Sequence, residues 1–356
     1  MSENTAAGTS AAAGSSAALP PTNRDLVPDD GAAKPTARRG RGSGVARNLG
    51  LVVALALLCV AGFATAGERF LSTSNIATIL ALAATIGVLS IGMTFVITGG
   101  GIDLSVGSVL GLATVWATTL ATQTMAEDTH WLIIALTAML VGTAAGLING
   151  IVVAYGKVVS FIATLAMLVA ARGLAEIISD RKTQILDVQS FKDFFGGSFL
   201  GLRVTVWMFV LVAVLGWIVL NRTTFGRRTI AVGGNPEAAR LAGINVQRHT
   251  MYLFAIAGLT AGIAAITMLG RTGAGTSTHG VLMELDVIAA VVVGGTLLIG
   301  GRGTIVGTVL GVLIFSTLTN VFILNNLSTS VQQVAKGAII VGAVLLQQRL
   351  ATRGTK

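Results

Sequence analysis

Long apolar runs dominate the chain, and polar residues are confined to short interruptions between them. A helix needs about twenty apolar residues to cross a bilayer core about 30 Å thick. Ten runs approach that length: 49–67, 76–98, 104–122, 131–155, 161–179, 203–220, 251–270, 285–299, 304–324 and 331–348. In four of them glycine returns every fourth position, at Gly107 and Gly111, at Gly142, Gly146 and Gly150, at Gly258 and Gly262, and at Gly307 and Gly311. Such stripes let helix backbones approach closely in lipid. The pattern predicts an all-α, polytopic membrane protein of about ten transmembrane helices, with residues 49–349 as the membrane domain.

Composition removes the alternatives. Of 356 residues 53% are hydrophobic and 11% charged, and 24 Lys and Arg with 15 Asp and Glu cannot cover the surface of a soluble domain. Aromatics at 5% and the lack of alternating ten-residue segments argue against a membrane β-barrel, and a lone Cys59 builds no disulfide framework. The net charge of +9 does not mark a nucleic-acid binder, because no basic stripe interleaved with aromatics is present. Its placement reads instead as topology. With the N-terminus inside, six crossings put residues 221–250 inside, where Arg222, Arg227, Arg228, Arg240 and Arg248 face only Glu237. Ten crossings bring Arg349, Arg353 and Lys356 to the same side. The opposite loops carry acids: Glu68, Glu127, Asp128, Asp180, Asp187, Asp193, Glu284 and Asp286. A multi-pass membrane protein with both termini cytoplasmic is expected.

Residues 1–48, rich in Ala, Ser, Gly, Pro and Thr without an apolar period, are expected to form a disordered cytoplasmic tail, and residues 350–356 a short C-terminal one. Ala64, Thr65 and Ala66 imitate a signal-peptidase site. The region before the apolar run is far longer than a secretory leader's, however, and many spans follow, so the run reads as an uncleaved helix.

Two segments repeat. Thr94-Phe95-Val96-Ile97-Thr98-Gly99-Gly100 is echoed by Thr296-Leu297-Leu298-Ile299-Gly300-Gly301, and Val106-Gly107-Ser108-Val109-Leu110-Gly111 by Val306-Gly307-Thr308-Val309-Leu310-Gly311. Duplication of this kind is common in transporters, whose halves rock about a central site. Gly99, Gly100 and Gly101 cannot continue a helix, so a break is expected before Asp103 and Ser105, and some helices of the fold are broken. Asp103 is read in two ways, as an acid on a polar pathway or as a cap on the next helix. Thr94, Asp103, Ser105, Asn149 and Asn320 are candidate pathway residues, although Asn and Thr within spans also serve as hydrogen-bonding groups between helices.

The inside loop carries the clearest local signal. Asn235 is a good N-cap, Pro236 suits the first helical position, Glu237 complements the positive helix end and Gly243 can close the helix in a left-handed conformation. With Ala238, Ala239, Arg240 and Leu241 between them, they spell a two-turn helix. Gly233 and Gly234 are expected to detach it from the preceding span, as a knob that another protein can push. No catalytic set accompanies it. His130, His249 and His279 lie far apart, and no metal-ligand spacing occurs.

The segments 92–108, 232–243 and 284–296, followed by Gly300-Gly301-Arg302-Gly303, with Phe161-Ile162-Ala163-Thr164-Leu165 and Arg172-Gly173-Leu174, resemble the ribose-type permeases of ABC monosaccharide importers. The resemblance spans roughly residues 49–349. Val159 and Ala166 depart from it where Pro and Gly are usual. It implies a permease working as a homodimer, bound inside by ATP-binding cassette subunits and outside by a periplasmic sugar-binding protein, with 235–243 as the coupling helix seated in the ATPase. Glu284 and Asp286 are candidates for the binding-protein side, or caps for the next span. No Gly-x-x-x-x-Gly-Lys-Ser/Thr loop occurs, the nearest Gly156-Lys157 being followed by Val158, so ATP and magnesium belong to a partner and no cofactor is expected on this chain. The alternative is an ion-coupled secondary transporter with Asp103 as its titrating group.

Overall fold

A computed structural model describes residues 42–353 and is almost entirely helical. The helices are α1 (Gly42–Ala66), α2 (Glu68–Leu71), α3 (Thr73–Thr98), α4 (Val106–Ala117), α5 (Leu120–Asp128), α6 (Leu132–Ala154), α7 (Ser160–Ser179), α8 (Gln189–Gly196), α9 (Val204–Arg222), α10 (Thr224–Gly234), α11 (Pro236–Leu241), α12 (Val246–Thr272), α13 (Met283–Val293), α14 (Ile305–Leu324) and α15 (Thr329–Arg353). Four two-residue strands, β1 (Gln184–Ile185), β2 (Ser198–Phe199), β3 (Leu202–Arg203) and β4 (Ala274–Gly275), make two antiparallel pairs, β1 with β4 and β2 with β3.

Among the described residues seven helices, α1, α3, α6, α7, α9, α12 and α14, are long and apolar enough to cross a membrane. The all-α polytopic expectation holds, but two of the ten runs do not make full spans. Residues 104–122 divide at Thr119, whose hydroxyl caps α5 by accepting from the Thr122 N–H. That leaves α4 with 12 residues, about 18 Å at 1.5 Å per residue. Residues 285–299 contribute only the 11-residue α13, about 16 Å, before the chain turns at Gly294. The last run lies within α15. At the N-terminus α1 already begins at Gly42, so residues 42–48 are helical rather than tail; the rest of the expected disordered segment lies outside the described residues. Residues 350–353, expected as tail, extend α15.

α3 occupies the centre, with every residue of 83–98 buried. α12 packs beside it and against α6, and here the glycine stripes act. A Cβ on Gly142 would meet the Gly262 backbone, one on Gly146 the Gly258 backbone, and one on Gly150 the Met251 backbone. Only hydrogen side chains let the two helices come this close. Gly307 and Gly311 on α14 meet Gly294 and Ala290 of α13 in the same way. The peripheral helices α1, α7 and α9 instead expose Leu57, Val169 and Leu211, a surface that needs lipid.

The run 180–203, read only as a loop, contains α8, whose Phe191 and Phe195 are buried. With Phe194 they surround Trp131 at the start of α6, the Trp131 and Phe194 rings stacking at 4.7 Å. Beside this cap, residues 273–282 run back along α4 without forming a helix. Gly275 lies on Thr114, while Gly111 and Gly107 face the carbonyls of His279 and Gly280. Arg172 of α7 donates to the carbonyls of Ser277 and His279, the latter at 2.8 Å. Irregular backbone at membrane depth must be satisfied by protein groups. This segment therefore replaces one half of the missing span and α13 completes it.

Candidate coupling site and polar interior

The short helix α11 forms as its caps dictate. Asn235 is extended (φ −158°, ψ 99°), its Oδ1 accepts from the Ala238 N–H at 3.0 Å, and Pro236 follows at the first helical position. At the other end Gly243 takes φ +82°, its N–H reaching the Arg240 carbonyl and that of Ile244 the Ala239 carbonyl, both at 3.0 Å. These two bonds are a Schellman closure. Ala239 is buried and anchors the helix, Arg240 pairs with Glu237 at 2.6 Å on the exposed face, and the apolar Leu241 is 81% exposed. The hydrogen bond to Glu237 raises the pKa of Arg240 above its ordinary value. The local reading of residues 235–243 is thus reproduced, with one turn and a half of helix where two turns were expected.

Gly233 and Gly234 do not detach this knob. They end α10 and lock it to two other elements. Gly233 packs on the Thr98 carbonyl and the Gly301 N–H; the Gly301 N–H itself donates to the Thr98 carbonyl at 2.9 Å, and Gly300 lies on Gly100 and the Gly233 carbonyl. The end of α3, the end of α10 and the loop 294–304 after α13 therefore meet backbone to backbone immediately before α11. Gly100 (φ +86°) and Gly300 (φ +85°) supply left-handed turns there. Behind α10, Thr229 Oγ1 and His249 Nε2 lie 2.9 Å apart, and the His249 ring packs on Phe225, bracing α10 against α12. Sequence reading missed this brace, because nothing local connects residues 229 and 249.

The repeat is structural, in a different register from the echo read in the sequence. α3 and α13 end identically: Gly100 and Gly101 donate to the carbonyls of Ile97 and Val96, and Gly295 and Thr296 to those of Val292 and Val291. Residues 291–296 are therefore the counterpart of 96–101. The sequence partner of the α3 end, 296–301, is loop. The second echo holds, since Val106 and Val306 both lie at the start of a helix, in α4 and α14.

The candidate pathway residues are all buried and bonded to protein. Asp103 Oδ1 accepts from the Ser105 N–H at 2.8 Å and from its hydroxyl at 2.6 Å, while Ser105 Oγ accepts from Asn149 Nδ2 at 2.9 Å. These bonds tie the turn before α4, whose N-cap residue is Ser105, to α6. Thr94 and Thr308 share a 2.8 Å bond between the two repeat copies, and Asn320 exchanges two bonds with Asn75 at 2.7 and 3.1 Å. These bonds hold helices together. The acids expected on the binding-protein side are not free either: Glu284 is buried near Arg172, and Asp286 pairs with Lys336 of α15 at 2.7 Å. Both lie in the first turn of α13, whose start is inside the bundle because residues 273–282 have already descended.

An apolar helix bundle, sewn inside by polar side chains, with re-entrant backbone and a capped knob beside a glycine junction, is a multi-pass membrane transport protein. The chain belongs to the family described as branched-chain amino acid transport system / permease component, whose model matches residues 75–344. It is 39% identical over 288 residues to the ribose import permease protein RbsC of Haemophilus influenzae, covering 80% of this chain and 88% of that one. It is likewise 39% identical over 308 residues to RbsC of Bacillus subtilis (86% and 94%), and 36% over 334 residues to the L-arabinose ABC transporter permease protein AraH of Azospirillum brasilense (94% and 96%). No solved structure matches the chain significantly. The resemblance to ABC importer permeases is borne out, and the ion-coupled alternative finds no support.

Proposed function

We propose that this chain is the membrane-spanning subunit of an ATP-driven importer that carries a monosaccharide across a bacterial inner membrane. The observation that carries the reading is similarity along nearly the whole chain to permeases named for ribose and arabinose import. The family's description mentions branched-chain amino acids, but the ribose- and arabinose-named relatives favour a sugar.

In this reading α11 is the coupling helix. Leu241, Glu237 and Arg240 face the ATP-binding subunit, which holds ATP and magnesium. Force on α11 passes through Gly233 to the end of α3 and to the loop after α13, one from each repeat copy, so both move together. A second copy of the chain completes the pathway, and a sugar-binding protein delivers the solute from outside. Both termini of this chain are cytoplasmic.

The test is reconstitution of the chain with its co-encoded ATP-binding and solute-binding neighbours. Ribose or arabinose should stimulate ATP hydrolysis and accumulate, whereas leucine and valine should not. Accumulation by this chain alone, without nucleotide, would refute the reading.

A further inference from the structure

At the end of the bundle opposite α11 two arginines share a pocket that contains no acid. Arg203 immediately precedes α9, Arg271 is the next-to-last residue of α12, and both line a cavity of about 450 Å³ against Ser74, Thr78, Ala81 and Leu82 of α3. We propose that this pocket binds the phosphodiester of an anionic phospholipid in the leaflet at that end. Neither arginine forms an ion pair with a described carboxylate, and the two are near enough for their charges to repel. Arg271 is only partly exposed, and among the described residues its side chain hydrogen-bonds to the Met268 sulfur at 3.2 Å. Arg203 is exposed beside the half-buried Arg271, and two like charges held side by side call for a counter-anion, whose phosphate oxygens guanidinium groups grip in pairs.

The position of the pocket distinguishes a lipid from a free anion. Both arginines mark the ends of spans, the level at which phosphates lie in a bilayer. One turn deeper, Thr267 donates to Thr85 at 3.0 Å, which sets Arg271 level with Ala81. Ser74, Thr78 and Leu82 form one row along α3. From the arginines the row therefore runs outward to two hydroxyls and inward to a leucine. A phosphate between the guanidinium groups would direct a hydroxyl-bearing headgroup toward Ser74 and Thr78, and an acyl chain past Leu82. In the proposed topology this is the outer end, where lysine and arginine are otherwise disfavoured, so the pair needs a compensating anion.

The test uses the full-length protein in detergent and is independent of the transported solute. Thermal unfolding is followed while phosphatidylglycerol, phosphatidylcholine or inorganic phosphate is added, and retained phospholipid is counted after washing. Phosphatidylglycerol should stabilise the wild-type protein and remain bound, and R203Q/R271Q should retain it about thirty-fold more weakly. R203K/R271K, which keeps the charges, should retain an intermediate amount. Equal effects of phosphatidylglycerol and phosphatidylcholine on the wild type would overturn the proposal even if the glutamine variant fails to fold. Inorganic phosphate acting as well as the lipid would make this a free-anion site and overturn the lipid assignment. Unchanged lipid retention in R203Q/R271Q, with loss of solute-binding-protein docking, would assign the arginines to protein carboxylates and overturn it as well.

Discussion

Adding one methyl group at Gly233 tests the transmission from the knob to the membrane helices. A Cβ there would lie 2.7 Å from the Gly301 nitrogen and closer still to the Thr98 carbonyl. Both obstacles are backbone of other elements and cannot swing aside as a side chain would. Gly233→Ala must therefore push α10 away from α3 and strain the hydrogen bond between Gly301 and Thr98. Overpacking of this kind costs about 1–3 kcal/mol, which spent on coupling corresponds to a loss of roughly five-fold to 150-fold. Its neighbour supplies the control, because a Cβ on Gly234 finds its nearest atom, the Gly301 Cα, at 3.8 Å. Gly234→Ala should be neutral or slightly stabilising, since alanine favours helix by up to about 1 kcal/mol over glycine. Thermal unfolding of each purified variant comes first, then solute transported per ATP hydrolysed in proteoliposomes with the partner subunits. Gly233→Ala should unfold earlier and hydrolyse ATP with little transport. Equal stability and equal transport for the two variants would refute the idea that the glycine junction carries the movement.

Asn235→Ala removes the acceptor for the Ala238 N–H and should cost about 1 kcal/mol locally, weakening co-purification of the ATP-binding subunit at unchanged membrane abundance; Asn235→Asp should preserve it. Asp103→Asn keeps an oxygen for both Ser105 donors and should stay near wild type, whereas Asp103→Ala strands them and should lower abundance, by about 1–3 kcal/mol of stability. Normal abundance with no uptake in Asp103→Asn would count against a purely structural role. Lys336→Met leaves the largely buried Asp286 carboxylate unpaired and should destabilise by about 3 kcal/mol, with Asp286→Asn in the same chain recovering most of the loss in a thermal-unfolding cycle.

How legible each part was follows from how local its cause is. The knob could be read because N-cap, proline, a first-turn acid and left-handed glycine all act within nine residues. The glycine stripes foretold which faces of α6 and α12 meet, since helical spacing alone puts Gly142, Gly146 and Gly150 on one face. α8 escaped notice because three phenylalanines in a polar stretch look like loop until Trp131 is there to receive them. Gly233 and Gly234 looked like a spacer because the backbones that require glycine at 233 belong to residues 98 and 301. Glu284 and Asp286 looked like surface acids because a hydropathy scan treats their run as a crossing. The crossing is in fact shared with irregular chain whose carbonyls Arg172 satisfies from 105 and 107 residues away.

By itself the sequence determined the membrane solvent, the helical class, the break at Gly99, Gly100 and Gly101 and the local shape of the knob. Each of these depends on hydrophobicity, capping or backbone freedom within a few residues. Tertiary structure alone decided which runs are complete spans, the register of the repeat and the fate of every buried polar group. Thr94 finds its partner 214 residues away and Asn320 at a separation of 245. In lipid such a group must be satisfied by whichever helix the packing brings beside it, and no stretch of chain records that choice.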